Sequence, residues 1–131
     1  MYGRRTIRIA AMAACVVAAS AAARAQEGFP LDGTWRGEWG APGGEGNGVV
    51  IVMNWDGERI NGLINPGPRS IDFRSAELEP STWTVRIEAV GHDDEEIVVE
   101  GRLEDIGSYN RYITGTWTQN GVRNDFRITR E

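Results

Sequence analysis

The chain's single histidine, His92, stands in the run Gly91-His92-Asp93-Asp94-Glu95-Glu96, an imidazole beside four carboxylates. Those groups could in principle hold a metal ion or pass a proton. Their setting points instead to a solvated hairpin turn, with neither the burial nor the fixed supporting hydrogen bonds that such chemistry needs. The acidic run also lacks the glycine and ligand spacing of a dedicated calcium loop. No cysteine follows Cys15, and there is no lysine anywhere in the 131 residues. Thiol, Schiff-base and serine–histidine chemistry therefore lack the residues they require. Gly43-Gly44-Glu45-Gly46-Asn47-Gly48 is glycine-rich enough to suggest a phosphate cradle. No lysine and no helix follow it, and an acid sits inside it, so it reads as a mobile loop. The expectation is a protein that is not an enzyme and carries no metal or cofactor.

The elements that would position these groups are strands. Thr34 to Trp39 alternates cleanly, with Trp35, Gly37 and Trp39 on one face and charges on the other, the period of a half-buried strand. Val49–Trp55 is closed by Asp56-Gly57, a type I′ hairpin signal. Arg59–Asn65 ends at Asn65-Pro66-Gly67-Pro68, whose prolines cannot donate to a ladder. Ser70–Glu79 slips phase between Ile71/Phe73 and Ala76/Leu78, which predicts a bulge near Arg74-Ser75. Trp83–Ala89, Ile97–Leu103, Tyr109–Thr118 and Val122–Thr129 complete the set. Val122, Phe126 and Ile128 are expected to face inward, and Asn120-Gly121 is expected to turn tightly into the last strand.

Eight short strands separated by turn signals, with no helical period of useful length, predict an all-β fold. An eight-stranded antiparallel up-and-down barrel is favoured over a two-sheet sandwich. Glycines inside four strands, at 37, 62, 101 and 115, would relieve crowding where strands coil hard. The inward positions are almost all apolar, with Asn124 the main polar exception, so a buried carboxylate pair of the glycosidase kind has no place to stand. The non-core face carries Arg36, Glu38, Arg86, Glu88, Arg102, Arg123, Asp125 and Arg127. A barrel spanning a lipid bilayer would present apolar side chains there, since a basic residue at mid-bilayer costs about 2–4 kcal/mol.

The first 25 residues are read as a cleavable signal peptide. Arg4, Arg5 and Arg8 precede an apolar run from Ile9 to Ala23, and Ala23-Arg24-Ala25 gives the small-x-small pattern, with cleavage before Gln26. Arg4-Arg5 would also suit the twin-arginine route, and Met12-Ala13-Ala14-Cys15 faintly resembles a lipoprotein box. A single domain then spans 26–131, periplasmic or secreted. Its charge is 10 Arg against 19 Asp and Glu, a formal −9. That opposes nucleic acid and anionic membranes as partners. Without a disulfide, stability must come from core burial and strand pairing, to which five tryptophans contribute large apolar surfaces.

Leu31-Asp32-Gly33-Thr34-Trp35, followed by an eight-strand meander, resembles the calycin superfamily of lipocalins, fatty-acid-binding proteins and avidins, the avidin-type and short lipocalin-like pattern most of all. The resemblance implies that Trp35 packs across one end of the barrel. It also implies an arginine of the closing strand over that ring, for which Arg123, Arg127 and Arg130 are the candidates, with a cation–π contact worth about 0.5–2 kcal/mol. The polar residues that contact biotin in avidins have no match here. Secreted metalloprotease inhibitors of similar shape hold a disulfide and act through an N-terminal arm.

Two functions are consistent with these residues. A small, largely apolar ligand could sit inside the barrel, oriented by Trp39, Trp55, Trp83 and Asn124. An internal void above roughly 300 Å³ would favour it. Alternatively, a filled barrel could be a protein-binding or inhibitory module acting through the Gln26–Pro30 arm and the Gly40–Gly48 loop. Tyr109, Asn110 and Arg111 either touch a ligand or shape a turn. Val50, Val52 and Val98 are outward apolar residues that leave the oligomeric state open.

Overall fold

The computed structural model describes residues 29–131. The expected signal segment, its cleavage site and residues 26–28 of the arm lie outside them. Eight strands follow in order: β1 (Gly33–Gly40), β2 (Asn47–Trp55), β3 (Ile60–Ile64), β4 (Ile71–Glu79), β5 (Thr84–Val90), β6 (Glu96–Glu104), β7 (Tyr112–Gln119) and β8 (Val122–Arg130). Each pairs antiparallel with the next, and β8 returns to β1 to close one barrel. A short 3₁₀ turn, His92–Asp94, is the one helical element among the described residues. No helix among them is long and apolar enough to cross a membrane.

The two-residue alternation places one face of every strand inside. Trp35, Ile51, Val85, Ile87, Ile97, Val99, Ile113, Trp117, Phe126 and Ile128 are all buried to 4% exposure or less. Of the outward charges, Arg36, Glu38, Arg86, Arg102, Arg123, Asp125 and Arg127 are exposed and Glu88 is half-buried. Gly101 and Gly115 face each other directly across β6 and β7. A Cβ on Gly115 would come within 2.5 Å of the Gly101 Cα, so the two strands close only because both side chains are absent.

Three expectations need correction. Val122 has the inward parity of its strand but is 62% exposed, because it lies at the rim beyond the core. Trp83 stands one residue before β5 with left-handed backbone (φ 55°), so it does not belong to the strand's alternation. Asp56-Gly57 is not a two-residue turn: four residues, Asp56 to Arg59, join β2 to β3, with the Asp56 N–H donating to the Arg59 carbonyl at 3.1 Å. The Asn120-Gly121 turn is as tight as expected, with φ 51° and 80° and Gln119 paired to Val122.

One end of the barrel is plugged by the segment that leads into β1. Leu31 is fully buried, and the Trp35 indole N–H donates to its carbonyl at 2.8 Å. Arg111 donates to the Pro30 carbonyl at 3.1 Å, and Asn110 to the Arg130 carbonyl at 3.0 Å. Burial, and after it the charge of Arg130, holds Arg111 below the usual arginine range. Arg130 is the cross-strand partner of Trp35, and its guanidinium faces the Tyr109 ring at 5.5 Å. Arg127 lies over Tyr112 at 4.1 Å. The arginine–aromatic contacts among the described residues are thus with tyrosines.

The four-residue turn carries a pH dependence. The Asp56 carboxylate accepts the N–H of Arg59 (2.7 Å), the N–H of Glu58 (2.8 Å) and the Asn61 amide (2.9 Å), which together hold its pKa below the ordinary value. A carboxyl whose pKa is lower folded than unfolded adds stability above its unfolded pKa, and loses it as pH falls through the folded one. Melting followed by circular dichroism should therefore show the midpoint falling between about pH 5 and pH 3. Asp56→Asn should remove part of that slope. A variant whose slope matches the parent would show that the turn contributes nothing to it.

Candidate functional site

The barrel closes unevenly. Between β3 and β4 only Leu63↔Asp72 and Ile64↔Ile71 pair, whereas β6 and β7 pair from Ile97↔Gln119 to Glu104↔Tyr112. Three local features open this seam. β3 is only five residues long, against nine for β4. The β4 register with β5 shifts between Phe73 and Ser75, leaving Arg74 as the extra residue of a bulge, and a bulge bends its strand. The Phe73 ring lies against Gly62, where a Cβ would come within 2.5 Å of Cε2, so an aromatic ring wedges the seam where the ladder stops.

The result is a cleft of about 700 Å³ leading in from the barrel wall. Its apolar lining comes from inward positions on three strands: Trp55 of β2, Ile60 of β3, and Phe73, Ala76 and Leu78 of β4. The bulge keeps Phe73 and Ala76 both facing inside, as the phase slip in the sequence predicts. Phe29 completes the lining, stacked on Trp55 with centroids 4.9 Å apart. Glu58, Arg59, Arg74 and Glu77 form a rim of two acids and two bases. None of these four makes a salt bridge among the described residues.

What separates this cleft from the rest of the interior is burial. The inward apolar side chains of β5 (Val85, Ile87, Ala89) and β6 (Ile97, Val99, Leu103) are at 2% exposure or below, yet Phe73, Ala76 and Leu78, which line the cleft on β4, are only half-buried. Packed interiors leave few voids larger than a water molecule. The inward run of β4 along the cleft departs from that packing.

The four residues expected to orient a ligand do not surround one cavity. Trp55 lines the cleft and is 39% exposed. Trp39 lies at the opposite end of the barrel, stacked on Trp117 at 5.1 Å and 5° between planes. Trp83 is half-buried against the core, and its carbonyl accepts the Leu103 N–H at 2.8 Å. Asn124 is half-buried on β8, opposite Trp117. Sequence reasoning missed Ile60, Phe73, Ala76 and Leu78 as site residues. The signal that marks them is the phase slip in β4, read as a bulge but not as a gap in the wall. His92 is exposed, with Nε2 2.9 Å from the Arg69 carbonyl. No group of three or more metal-ligating side chains stands together among the described residues.

Comparison of the chain with protein-family models, with curated proteins and with solved structures gives no match.

Proposed function

We propose that this protein is a non-enzymatic, calycin-like binding barrel, exported by its N-terminal segment, that takes a small, largely apolar ligand into the cleft between β3 and β4. The observation that carries this reading is the half-buried inward run Phe73, Ala76 and Leu78 on β4, beside β5, whose inward residues Val85, Ile87 and Ala89 are buried to 1% or less. A cleft of about 700 Å³ is within the ordinary range for small-molecule sites, which are mostly apolar with a few polar groups at the edge. Trp55 and Phe29 offer a flat aromatic wall, and the mixed charges of the rim favour a ligand with no strong charge of its own. The calycin-like part of this reading rests on the eight-strand closed barrel and on Trp35 buried at the plugged end.

A second reading has its own support. From Phe73 to Glu79, β4 has no ladder partner on the β3 side, and an exposed strand edge can accept an extended peptide as an added strand. Of the described part of the N-terminal arm, Phe29 packs against the barrel, stacked on Trp55.

The test is titration of the protein with N-phenyl-1-naphthylamine, an uncharged apolar fluorophore, beside the Ala76→Trp variant. Saturable fluorescence enhancement with quenching of Trp55 is the expected result. Filling the cleft should weaken binding by about 10–100-fold, the equivalent of losing burial of one large apolar side chain. Equal binding by both proteins, or no binding by either, would sink the small-ligand reading.

A further inference from the structure

At the end of the barrel away from the plug, a second opening of about 370 Å³ has a different chemistry. Its floor is aromatic and aliphatic. Trp117, 2% exposed, lies beneath Trp39, and Ile64, Ile71 and Ile97 surround them. Trp39 is half-buried, and its uncovered surface lines both this opening and a smaller one of about 220 Å³ against the Gly40–Gly46 loop. The rim is polar throughout. It holds the amides of Asn47, Asn65 and Gln119, the carboxylates of Asp93 and Glu95, and the cation of Arg69.

Asn47, Asn65, Glu95 and Gln119 are held by hydrogen bonds, yet each keeps further hydrogen-bonding capacity. Trp117 Nε1 donates to Gln119 Oε1 at 3.0 Å, and Gln119 Nε2 donates to Glu95 Oε2 at 2.6 Å, leaving Glu95 Oε1 to accept. Asn65 Oδ1 accepts the Val50 N–H at 3.1 Å, leaving both of its amide hydrogens to donate. Asn47 Nδ2 donates to the Trp39 carbonyl at 3.2 Å, leaving Oδ1 to accept. The Arg69 carbonyl can only accept, so His92 Nε2, 2.9 Å away, donates in that bond. The Arg69 guanidinium makes no ion pair among the described residues. Two of these loops also carry left-handed backbone at non-glycine positions, Asn65 (φ 54°), Asp93 (φ 67°) and Asp94 (φ 57°).

An indole surface bordered by fixed donors and acceptors in similar number is matched by a ligand that has an apolar face and an edge of hydroxyl groups, since each hydroxyl both donates and accepts. We propose that this mouth is a second binding site, for a neutral saccharide unit stacked on Trp39 with its hydroxyls toward Asn47, Asn65 and Glu95. An anion is disfavoured by two carboxylates against one guanidinium, and a fully apolar molecule would strand the polar rim.

Saturation-transfer NMR on the protein with glucose, N-acetylglucosamine, cellobiose and chitobiose tests the site. Transfer to ring protons of at least one sugar is expected. Trp39→Ala should weaken that binding by about 10-fold, as losing an aromatic stacking surface does. Because Trp39→Ala could disturb Trp117 beneath it, Arg69→Ala serves as the second variant. Its guanidinium makes no ion pair among the described residues, and its removal should lower affinity several-fold with an unchanged melting temperature. No transfer to any of the four sugars would overturn the proposal. So would transfer unaltered by both variants, or binding of tetramethylammonium in place of the sugars. The cleft variant Ala76→Trp should leave sugar binding unchanged, so the two sites fail or succeed separately.

Discussion

Gly37→Ala is expected to prevent the barrel from closing. Gly37 lies in β1 opposite Val49 on one side and Ile128 on the other, at the seam where the last strand meets the first. A Cβ there would lie 2.8 Å from both the Arg127 carbonyl carbon and the Ile128 Cα, and closer still to the Arg127 oxygen. All three atoms are backbone, so no rotamer change relieves the clash, and β1 or β8 must move. Elsewhere in a strand, Gly→Ala tends to stabilise by about 0.5–1 kcal/mol, because alanine loses less conformational entropy on folding. Here the sign should reverse, with a loss of at least about 3 kcal/mol, a large part of the 5–15 kcal/mol that holds a typical domain together. Gly48→Ala is the matched control. Gly48 is in β2, and a Cβ on it meets nothing within 4 Å. Urea unfolding of the two variants should bracket the parent from opposite sides. A Gly37→Ala protein with parental stability would mean that the seam is looser than these distances say.

Most of this fold was legible in the sequence, and the illegible parts share one physical cause. Alternation with period two assigns a residue to a face, and it did so correctly for Trp35, Phe126 and Ile128, all of them buried. The turn residues separated the strands, and the phase slip in β4 located the bulge at Arg74. Parity does not say how high along the barrel axis a residue stands. That height follows from the stagger of all eight strands together, which no local window contains. Val122 has inward parity but stands at the rim, and Trp39 and Trp35 share a face of β1 yet lie at opposite ends. The extent of pairing between β3 and β4 is non-local in the same way. Nothing within Ile60–Ile64 announces that its ladder with β4 will stop after two pairs. The cleft was missed for that reason, and with it Phe73, Ala76 and Leu78.

The five tryptophans show how much turns on that missing coordinate, and replacing them one at a time by alanine should separate core from site. Trp35→Ala is expected to be the most damaging. Its ring is fully buried, and its N–H satisfies the Leu31 carbonyl at the plugged end. Removal of a buried tryptophan leaves a cavity and costs about 3–5 kcal/mol. Orphaning the buried Leu31 carbonyl adds about 1–3 kcal/mol. The total approaches the whole stability of a marginal domain, so this variant should be largely unfolded at 25 °C. Trp55→Ala should behave in the opposite way. Trp55 is 39% exposed and, among the described residues, stacks on Phe29 at the cleft, so its loss should cost about 1–1.5 kcal/mol while removing much of the affinity for an apolar probe. Thermal unfolding with naphthylamine titration on each variant reads both properties at once. A Trp35→Ala protein that folds and binds normally would mean that the plug, not the ring, closes that end. A Trp55→Ala protein that binds with parental affinity would move the ligand out of the cleft.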